Sequence, residues 1–263
     1  MLNFIFYQYP FSSWINKYLK SAAKSYSQKH DLYLKTSQEI GEFTNEPAEL
    51  VRNKHKGGFS NDNATVIFEQ QETLKKEEVE NFYRNFSYYL YELPLWNAER
   101  ARPYYLWRMM QPFLEKNHYK KILDFGGGAG DLCIELSSRG YEVDYYDISK
   151  PLHKFMAWRL SKRSNKGIRM YDDITKINNT YDVVVSFDVL EHLKEIPAAL
   201  GMLASKIRKA GSFIFSGAFS GGTLHLEENE IYNDFKAIDK LLAENGFRFE
   251  KKFAQFYFYK KTH

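Results

Sequence analysis

Residues 121–130, KILDFGGGAG, place four glycines within five positions directly after an apolar run. Glycine permits positive φ and carries no Cβ, so a turn this bare lets a ligand lie against the backbone. The helix-forming stretch DLCIELSSRG follows at once, which puts the glycines on a strand-to-helix turn. The same alternation runs on down the chain. Short apolar strands are expected at KKILDF, YEVDYYDIS, IRMYDDI, YDVVVSFDVL, SFIFSGA, FRFEKKF and QFYFYKK, with helices between most of them. Strands separated by helices pair in parallel through right-handed crossovers, so the pattern predicts a doubly wound, mostly parallel, seven-stranded α/β sheet. Ligands of such sheets sit beyond the carboxyl ends of the strands, at the point where strand order reverses.

Residues 1–115 lack this alternation. They read as aromatic-rich helices around a turn-forming loop, NKHKGGFSNDNAT. The chain is therefore expected to divide into a helical N-terminal extension, 1–115, a candidate substrate lid, and a catalytic domain at 116–263. The single cysteine, Cys133, excludes an internal disulfide and a multi-cysteine metal cluster and reads as a core residue. No apolar stretch approaches the ~20 residues of a membrane helix. The start, MLNFIFYQYPFSSW, lacks the basic region and cleavage site of a signal peptide. A soluble, cytoplasmic protein is expected. The formal charge of +4 is too weak to imply a nucleic-acid partner.

A G-x-G-x-G turn suits two kinds of nucleotide. A dinucleotide wants G-x-G-x-x-G, because its pyrophosphate rests on the amides of the helix N-terminus. Counted from Gly126, the sixth position here is Asp131, whose carboxylate would repel a diphosphate and suits the helix dipole. This disfavours an NAD(P)-linked oxidoreductase and favours a nucleoside cofactor without phosphates.

The runs ILDFGGGAGDLCIEL, VDYYDIS and YDVVVSFDVLEHL, in that order, resemble the class I, Rossmann-like S-adenosylmethionine-dependent methyltransferases. The D-x-G-x-G-x-G and D-V-L-E-H signatures are most similar to the small-molecule branch that includes ubiquinone-type O-methyltransferases. The resemblance covers about residues 119–217 well and leaves the N-terminal part unmatched. It implies S-adenosylmethionine as cofactor, S-adenosylhomocysteine as product, and transfer to oxygen or nitrogen of a small metabolite, peptide or natural-product intermediate. It further implies that Asp124, Phe125, Gly126, Gly127, Gly128 and Gly130 surround the methionine portion. Asp147 would accept hydrogen bonds from both ribose hydroxyls, a pairing that suits a two-oxygen acceptor. Ile148 would pack on ribose or adenine. Asp173 with Ile174 would cap the adenine, with Asp172 as the competing position, and Phe187 and Asp188 would meet the methionine end and the substrate. The sequence departs from the family at Lys209-Ala210-Gly211-Ser212, where K-P-G-G is usual. It also lacks the Pro-Pro tetrapeptide of enzymes that methylate exocyclic amines of bases.

Methyl transfer from a sulfonium needs alignment and, for a protonated nucleophile, a base. His192 has the right intrinsic range. Asp188 lies in the same motif, and His225, in the glycine-rich GAFSGGTLHLEENE, is the second histidine candidate. Asp188, Glu191 and His192 are donor types that suit a divalent cation, but neighbours on one helix point about 100° apart, so a metal is not favoured. Arg100, Arg102 and Tyr104 fall where a lid would meet the site, and an arginine there suits a carboxylate or phosphate. An RNA methyltransferase is the remaining alternative, using Lys17, Lys20, Lys24, Lys54 and Lys56, which read as a solvated helix face.

Overall fold

The computed structural model describes residues 28–57, 76–163, 167–219 and 227–263. Five helices precede the first strand: α1 (Gln28–Thr44), α2 (Ala48–Gly57), α3 (Lys76–Asn85), α4 (Tyr89–Arg100) and α5 (Arg102–Lys116). Next come β1 (Lys121–Phe125), α6 (Asp131–Ser138), β2 (Glu142–Tyr146), α7 (Lys150–Ser161) and β3 (Ile168–Tyr171). The chain continues through β4 (Tyr181–Phe187), α8 (Ile196–Lys206), β5 (Ile207–Ser216), α9 (Phe235–Glu244), β6 (Phe247–Phe253) and β7 (Phe256–Lys261).

The seven strands form one sheet in the order β3-β2-β1-β4-β5-β7-β6. The first five pair in parallel. The order reverses between β1 and β4, and that switch point faces the glycine turn. The expectation of a mostly parallel sheet needs correction at the other edge, where β7 runs antiparallel to both β5 and β6. Only Ala254 and Gln255 separate β6 from β7, which is far too short for a crossover and closes a hairpin instead. Ala254 takes φ 52° to make that turn.

Strand alternation assigns the two faces. Ile122, Val183 and Ile214 point to the side covered by α5, α6 and α7, while Leu123, Val184, Phe213 and Phe215 point to α8 and α9. Helix α5, read from sequence as part of the extension, buries Leu106, Met110, Phe113 and Leu114 in the sheet's own core. A third cluster joins Ile40 of α1, Val51 of α2 and Leu95 of α4 to Ala129 of the glycine turn and Phe155 of α7. Helices α1, α2 and α4 therefore share a core with the turn that begins α6.

One buried cation crosses this junction. Arg159 of α7, 4% exposed, donates from Nη1 to Asp131 Oδ1 (2.6 Å) and to the Ala129 carbonyl oxygen (2.8 Å), and from Nε to Glu39 Oε2 (3.1 Å). Arg163 also bonds Glu39, and Asn97 of α4 donates to Asp131 Oδ2 (2.9 Å). Burial alone would favour the neutral guanidine, yet Asp131 and Glu39 keep the Arg159 guanidinium's pKa above its ordinary value. Removing one partner of a buried pair leaves a charge without compensation, at a cost of about 3–5 kcal/mol. Arg159→Met should therefore lower unfolding stability by about 3 kcal/mol or more in chemical denaturation. Adding Glu39→Gln and Asp131→Asn to it should recover much of that loss. A single variant as stable as wild type would show that the network does not hold the helices to the turn.

Candidate active site

The glycine turn is held from beneath and from the side. The Tyr145 hydroxyl donates to the Gly128 carbonyl oxygen (2.7 Å), and the Gly126 and Gly127 amides donate to the Tyr146 carbonyl oxygen (2.8 and 3.0 Å). The Gly128 amide donates to Asp147 Oδ2 (2.7 Å), and the Gly130 amide to the Gly127 carbonyl oxygen (2.9 Å). All four glycine amides thus have acceptors inside the protein. The bare side of the turn also meets protein. A Cβ on Gly126, at φ 78°, would stand 2.3 Å from Val189 Cγ2, and one on Gly130, at φ 76°, 2.1 Å from Met156 Sδ. Tight packing of the chain on itself accounts for these two glycines, whereas the sequence suggested that a ligand did.

Above the turn lies a cavity of about 400 Å³ at the switch point, outside the carboxyl ends of β1, β2 and β4. Its floor includes Asp124, Phe125 and Gly126, Gly127 and Gly128; Asp147 and Ile148 flank them, with Phe187, Asp188 and His192 on the β4 side. These ten, all singled out in the sequence, are brought together there, with Asp131 and Arg102 beside them. Gly130 is not among the wall residues and packs on Met156 instead. Nor are Asp173 and Ile174. Asp173 is half-buried and accepts from Thr175 N (2.9 Å) and Oγ1 (2.7 Å), capping a short 3-10 turn, while Ile174 packs against the α8–α9 side of the core. Asp172, the alternative, pairs with Lys176. His225, Lys17, Lys20 and Lys24 lie outside the described residues.

The carboxylates of the site have distinct environments. Asp124 is buried, and burial raises its pKa to about 7 despite a hydrogen bond from Cys133 Sγ (3.2 Å). Cys133 is thus a core residue with a polar task. Asp147 is raised by burial, opposed by the amides of Ser149 (2.7 Å to Oδ1) and Gly128. Each of its oxygens keeps a lone-pair site beyond the one those amides use. Asp131 does not stand as a bare negative charge, because Arg159 compensates it. The repulsion expected of it toward a diphosphate is correspondingly weaker.

On the β4 side, Asp188 sits at φ 56°, an uncommon conformation for a residue with a side chain. Its carboxylate accepts from Ser216 Oγ (2.8 Å) and pairs with Arg102 of α5. Of Arg100, Arg102 and Tyr104, only Arg102 lines the cavity; Arg100 lies over the Trp96 ring. His192 Nδ1 is 2.8 Å from the Tyr83 hydroxyl, and the Tyr83 ring stacks on Tyr89 at 5.9 Å and 3°. Tyr83 and Tyr89, with Leu93 and Asn97, extend the cavity wall into the N-terminal helices. Tyr83 was legible only as one ring in an aromatic run, since its partner lies 109 residues away. Glu191 points elsewhere. It is 2% exposed, accepts from Ala218 N (3.1 Å), and leaves Oε2 without a partner among the described residues. Among the described residues no three His, Cys, Asp or Glu side chains are arranged to hold a metal ion.

Comparison with known proteins bears on this arrangement. The profile of a family described as a methyltransferase domain matches residues 82–257, which span the cavity walls from Tyr83 to Lys194. Magnesium protoporphyrin IX methyltransferase from Synechocystis PCC 6803, solved with bound S-adenosylmethionine, is similar in fold. It has 18% identity and a TM-score of 0.51 over 73% of this chain and 97% of that one. A putative S-adenosylmethionine-dependent methyltransferase from Listeria monocytogenes aligns at 18% identity over 60% of this chain and 98% of its own, with a TM-score of 0.45. No curated protein sequence matches the chain. No helix among the described residues is long and apolar enough to cross a membrane.

Burial, with Asp188 adding to it, raises Glu191 from 4.5 to about 8, so the folded protein favours its neutral form. A raised carboxyl contributes stability that is full below its unfolded pKa and is lost as pH climbs through the folded one. Glu191→Gln fixes the neutral state. The variant should gain stability over wild type as pH rises from about 4.5 to 8, in denaturant titrations at fixed temperature. A difference independent of pH would mean that Glu191 is already ionised in the fold.

Proposed function

The chain belongs to the methyltransferase-domain family, and from that premise we propose that it moves the methyl group of S-adenosylmethionine to oxygen or nitrogen of a small acceptor. The acceptor class is a metabolite, a peptide or a natural-product intermediate. The observation that carries this reading is the donor inventory of the glycine turn. Its glycine amides are all committed internally, which leaves poor provision for a pyrophosphate, while Asp124 and Asp147 offer acceptors suited to a cationic nucleoside with a free diol. The same inventory disfavours a dinucleotide reductase. Lys54, one of the lysines an RNA substrate would use, is tied to Glu46 and lies over the Tyr91 ring.

S-adenosylmethionine, when bound, supplies a methyl group already activated by its sulfonium. Asp147 would hold the ribose hydroxyls, and Tyr146 and Ile148, which line the cavity beside it, would pack on the nucleoside. Asp173 and Ile174 do not reach this wall, so the adenine is left to those residues. His192 would act on the acceptor. In the tautomer whose Nδ1–H donates to the Tyr83 oxygen, Nε2 is the basic nitrogen that would take the acceptor's proton. S-adenosylmethionine seated by these residues would supply the methyl carbon to the acceptor's lone pair and leave as S-adenosylhomocysteine, with the acceptor's proton passing to His192. Tyr83 acts through His192 and is a positioning residue.

Calorimetry should detect S-adenosylhomocysteine binding and no NAD+ binding; the reverse result overturns the assignment. Asp147→Ala should weaken that binding at least tenfold, about 1.4 kcal/mol, as lost charge-assisted hydrogen bonds require. Unchanged affinity would remove its ribose role. With tritiated S-adenosylmethionine and a small-molecule extract as acceptor pool, His192→Ala should lower methyl incorporation about 100-fold while cofactor affinity stays intact. Tyr83→Phe should lower it less and shift the acidic limb of the pH–rate profile. Normal incorporation by His192→Ala would show that the histidine is not the base.

A further inference from the structure

We propose that Glu191 is a positioning residue for His192, tying the turn that carries the imidazole to the chain that leaves β5. The inference rests on the reading of His192 as base given above. The turn needs such a tie. It runs from Asp188, at φ 56°, through the short 3-10 turn Leu190–His192, and belongs to neither a strand nor an α-helix. Within it, His192 N donates to the Val189 carbonyl oxygen (3.0 Å) and Leu193 N to that of Leu190 (3.1 Å). Bonds so local shape the turn without fixing it against the sheet. Contacts from β5 and beyond do that. The Asp188 amide donates to the Ser216 carbonyl oxygen (3.1 Å). Glu191 takes the Ala218 amide on Oε1 (3.1 Å), and its main-chain carbonyl oxygen takes Asn229 Nδ2 (3.1 Å). Asn229 is 4% exposed, lies in the 3-10 turn Glu227–Asn233, and donates also to the Leu193 carbonyl oxygen (2.9 Å). Glu191 is thus bonded through side chain and backbone to two stretches that follow β5, and the imidazole sits on the next residue. A shift of about 1 Å in a reacting group can lower a rate about 100-fold, so what holds Glu191 holds the base.

Two features single out the carboxyl itself. Glu191 is 2% exposed, and Oε2 has no hydrogen-bond partner among the described residues. A buried polar atom left in that state costs stability that an apolar side chain would not, and proteins keep such costs at functional sites. The second feature is Gly217. A Cβ there would stand 3.1 Å from Glu191 Oε2 and 3.2 Å from Phe219 Cζ, so space for the carboxyl calls for glycine. The charged groups acting on Glu191 are Asp188 of its own segment and Arg102 of α5, and Tyr83 of α3 feels the Glu191 charge in turn. Burial and Asp188 outweigh Arg102 and push the carboxyl's pKa up to about 8, so the tie is made by a neutral acid. Once ionised, the group would be a buried charge beside Asp188, drawn toward water and taking the turn with it.

Glu191→Ala and Glu191→Gln are compared with wild type on the full chain. The readouts are amide hydrogen exchange at Ala218, calorimetric binding of S-adenosylhomocysteine, and methyl incorporation from tritiated S-adenosylmethionine into a small-molecule extract. Glu191→Ala should exchange the Ala218 amide faster and lower incorporation, each by about tenfold or more. Its binding of S-adenosylhomocysteine should match wild type, which also reports that the variant is folded. Glu191→Gln keeps an acceptor oxygen without a charge, so it should restore most of both losses at pH 7. Above about pH 8 wild type should lose incorporation more steeply than Glu191→Gln, because only its residue 191 can ionise. Full incorporation by Glu191→Ala despite fast exchange at Ala218 would overturn the proposal, since the tie would not place the base. Parallel losses of cofactor binding and incorporation would overturn it as well, because the effect would then be general. So would coincident alkaline limbs for wild type and Glu191→Gln. Absence of incorporation by wild type would instead defeat the methyltransferase reading, and unchanged Ala218 exchange in Glu191→Ala would then overturn the tie by itself.

Discussion

Arg159 supplies the positive charge on which both the glycine turn and the N-terminal helices depend. It reaches Asp131 and the Ala129 carbonyl on one side and Glu39 of α1 on the other, while only 4% exposed. Two carboxylates buried near each other without it would repel and would each lose hydration, a combination that folded proteins avoid by protonation or rearrangement. With it, the carboxylate in the first turn of α6 is tolerated inside the fold. The apolar cluster around Ile40, Leu95 and Phe155 then supplies the burial that brings these helices together. The charge network fixes where they sit, and the cluster provides most of the free energy.

A turn anchored this firmly behaves as a rigid surface and not as a set of free donors. Tyr145 from below, Asp147 from the side and the Tyr146 carbonyl together leave its glycine amides no obligation to a ligand. Recognition at the cavity therefore falls to side chains, and they come from opposite ends of the chain's order. Asp124 and Asp147 stand at the ends of β1 and β2, whereas Arg102, Asn97, Tyr89 and Tyr83 come from α3, α4 and α5. The α/β sheet provides the acids and the preceding helices provide a cation, amide and phenols. The cavity walls are complete only when the two are docked, which links the Arg159 junction to the chemistry above it.

Much of this was legible in the sequence because period and punctuation reveal local structure. The apolar runs located all seven strands, and the start of α7 carries a common helix-start pattern, Ser149 as cap followed by Pro151. The antiparallel β6–β7 hairpin was not legible, because its turn carries no Asn-Gly or Asp-Gly signal; Ala254 makes the positive-φ turn without one. Asp147 could be placed because it sits at a strand end a short distance from the glycines. Asp173 could not, since its proximity to β3 in sequence says nothing about the Thr175 cap that occupies its carboxylate. Arg159 left a usable trace. It continues the buried face of Leu152, Phe155 and Met156 at helical spacing, and an arginine on such a stripe requires an acidic partner. Which partner, among many acids, only the fold could decide.

The segment from Asp188 to His192 shows how finely backbone geometry sorts chemistry. Three titratable side chains fall within five residues, and the 3-10 turn at Leu190–His192 advances each residue by about 120°, so neighbours cannot share an environment. Asp188, at positive φ, is turned toward Ser216 and Arg102 and held in an ion pair. Glu191 is turned into the protein beside Ala218, where burial favours its neutral form. His192 is turned to the cavity and to Tyr83. A chelating trio is excluded by that divergence, because a metal would need all three on one side. The same divergence leaves the imidazole lining the cavity against a phenol, where Asp188 is paired with Arg102, which is the physical ground for giving it the base's role.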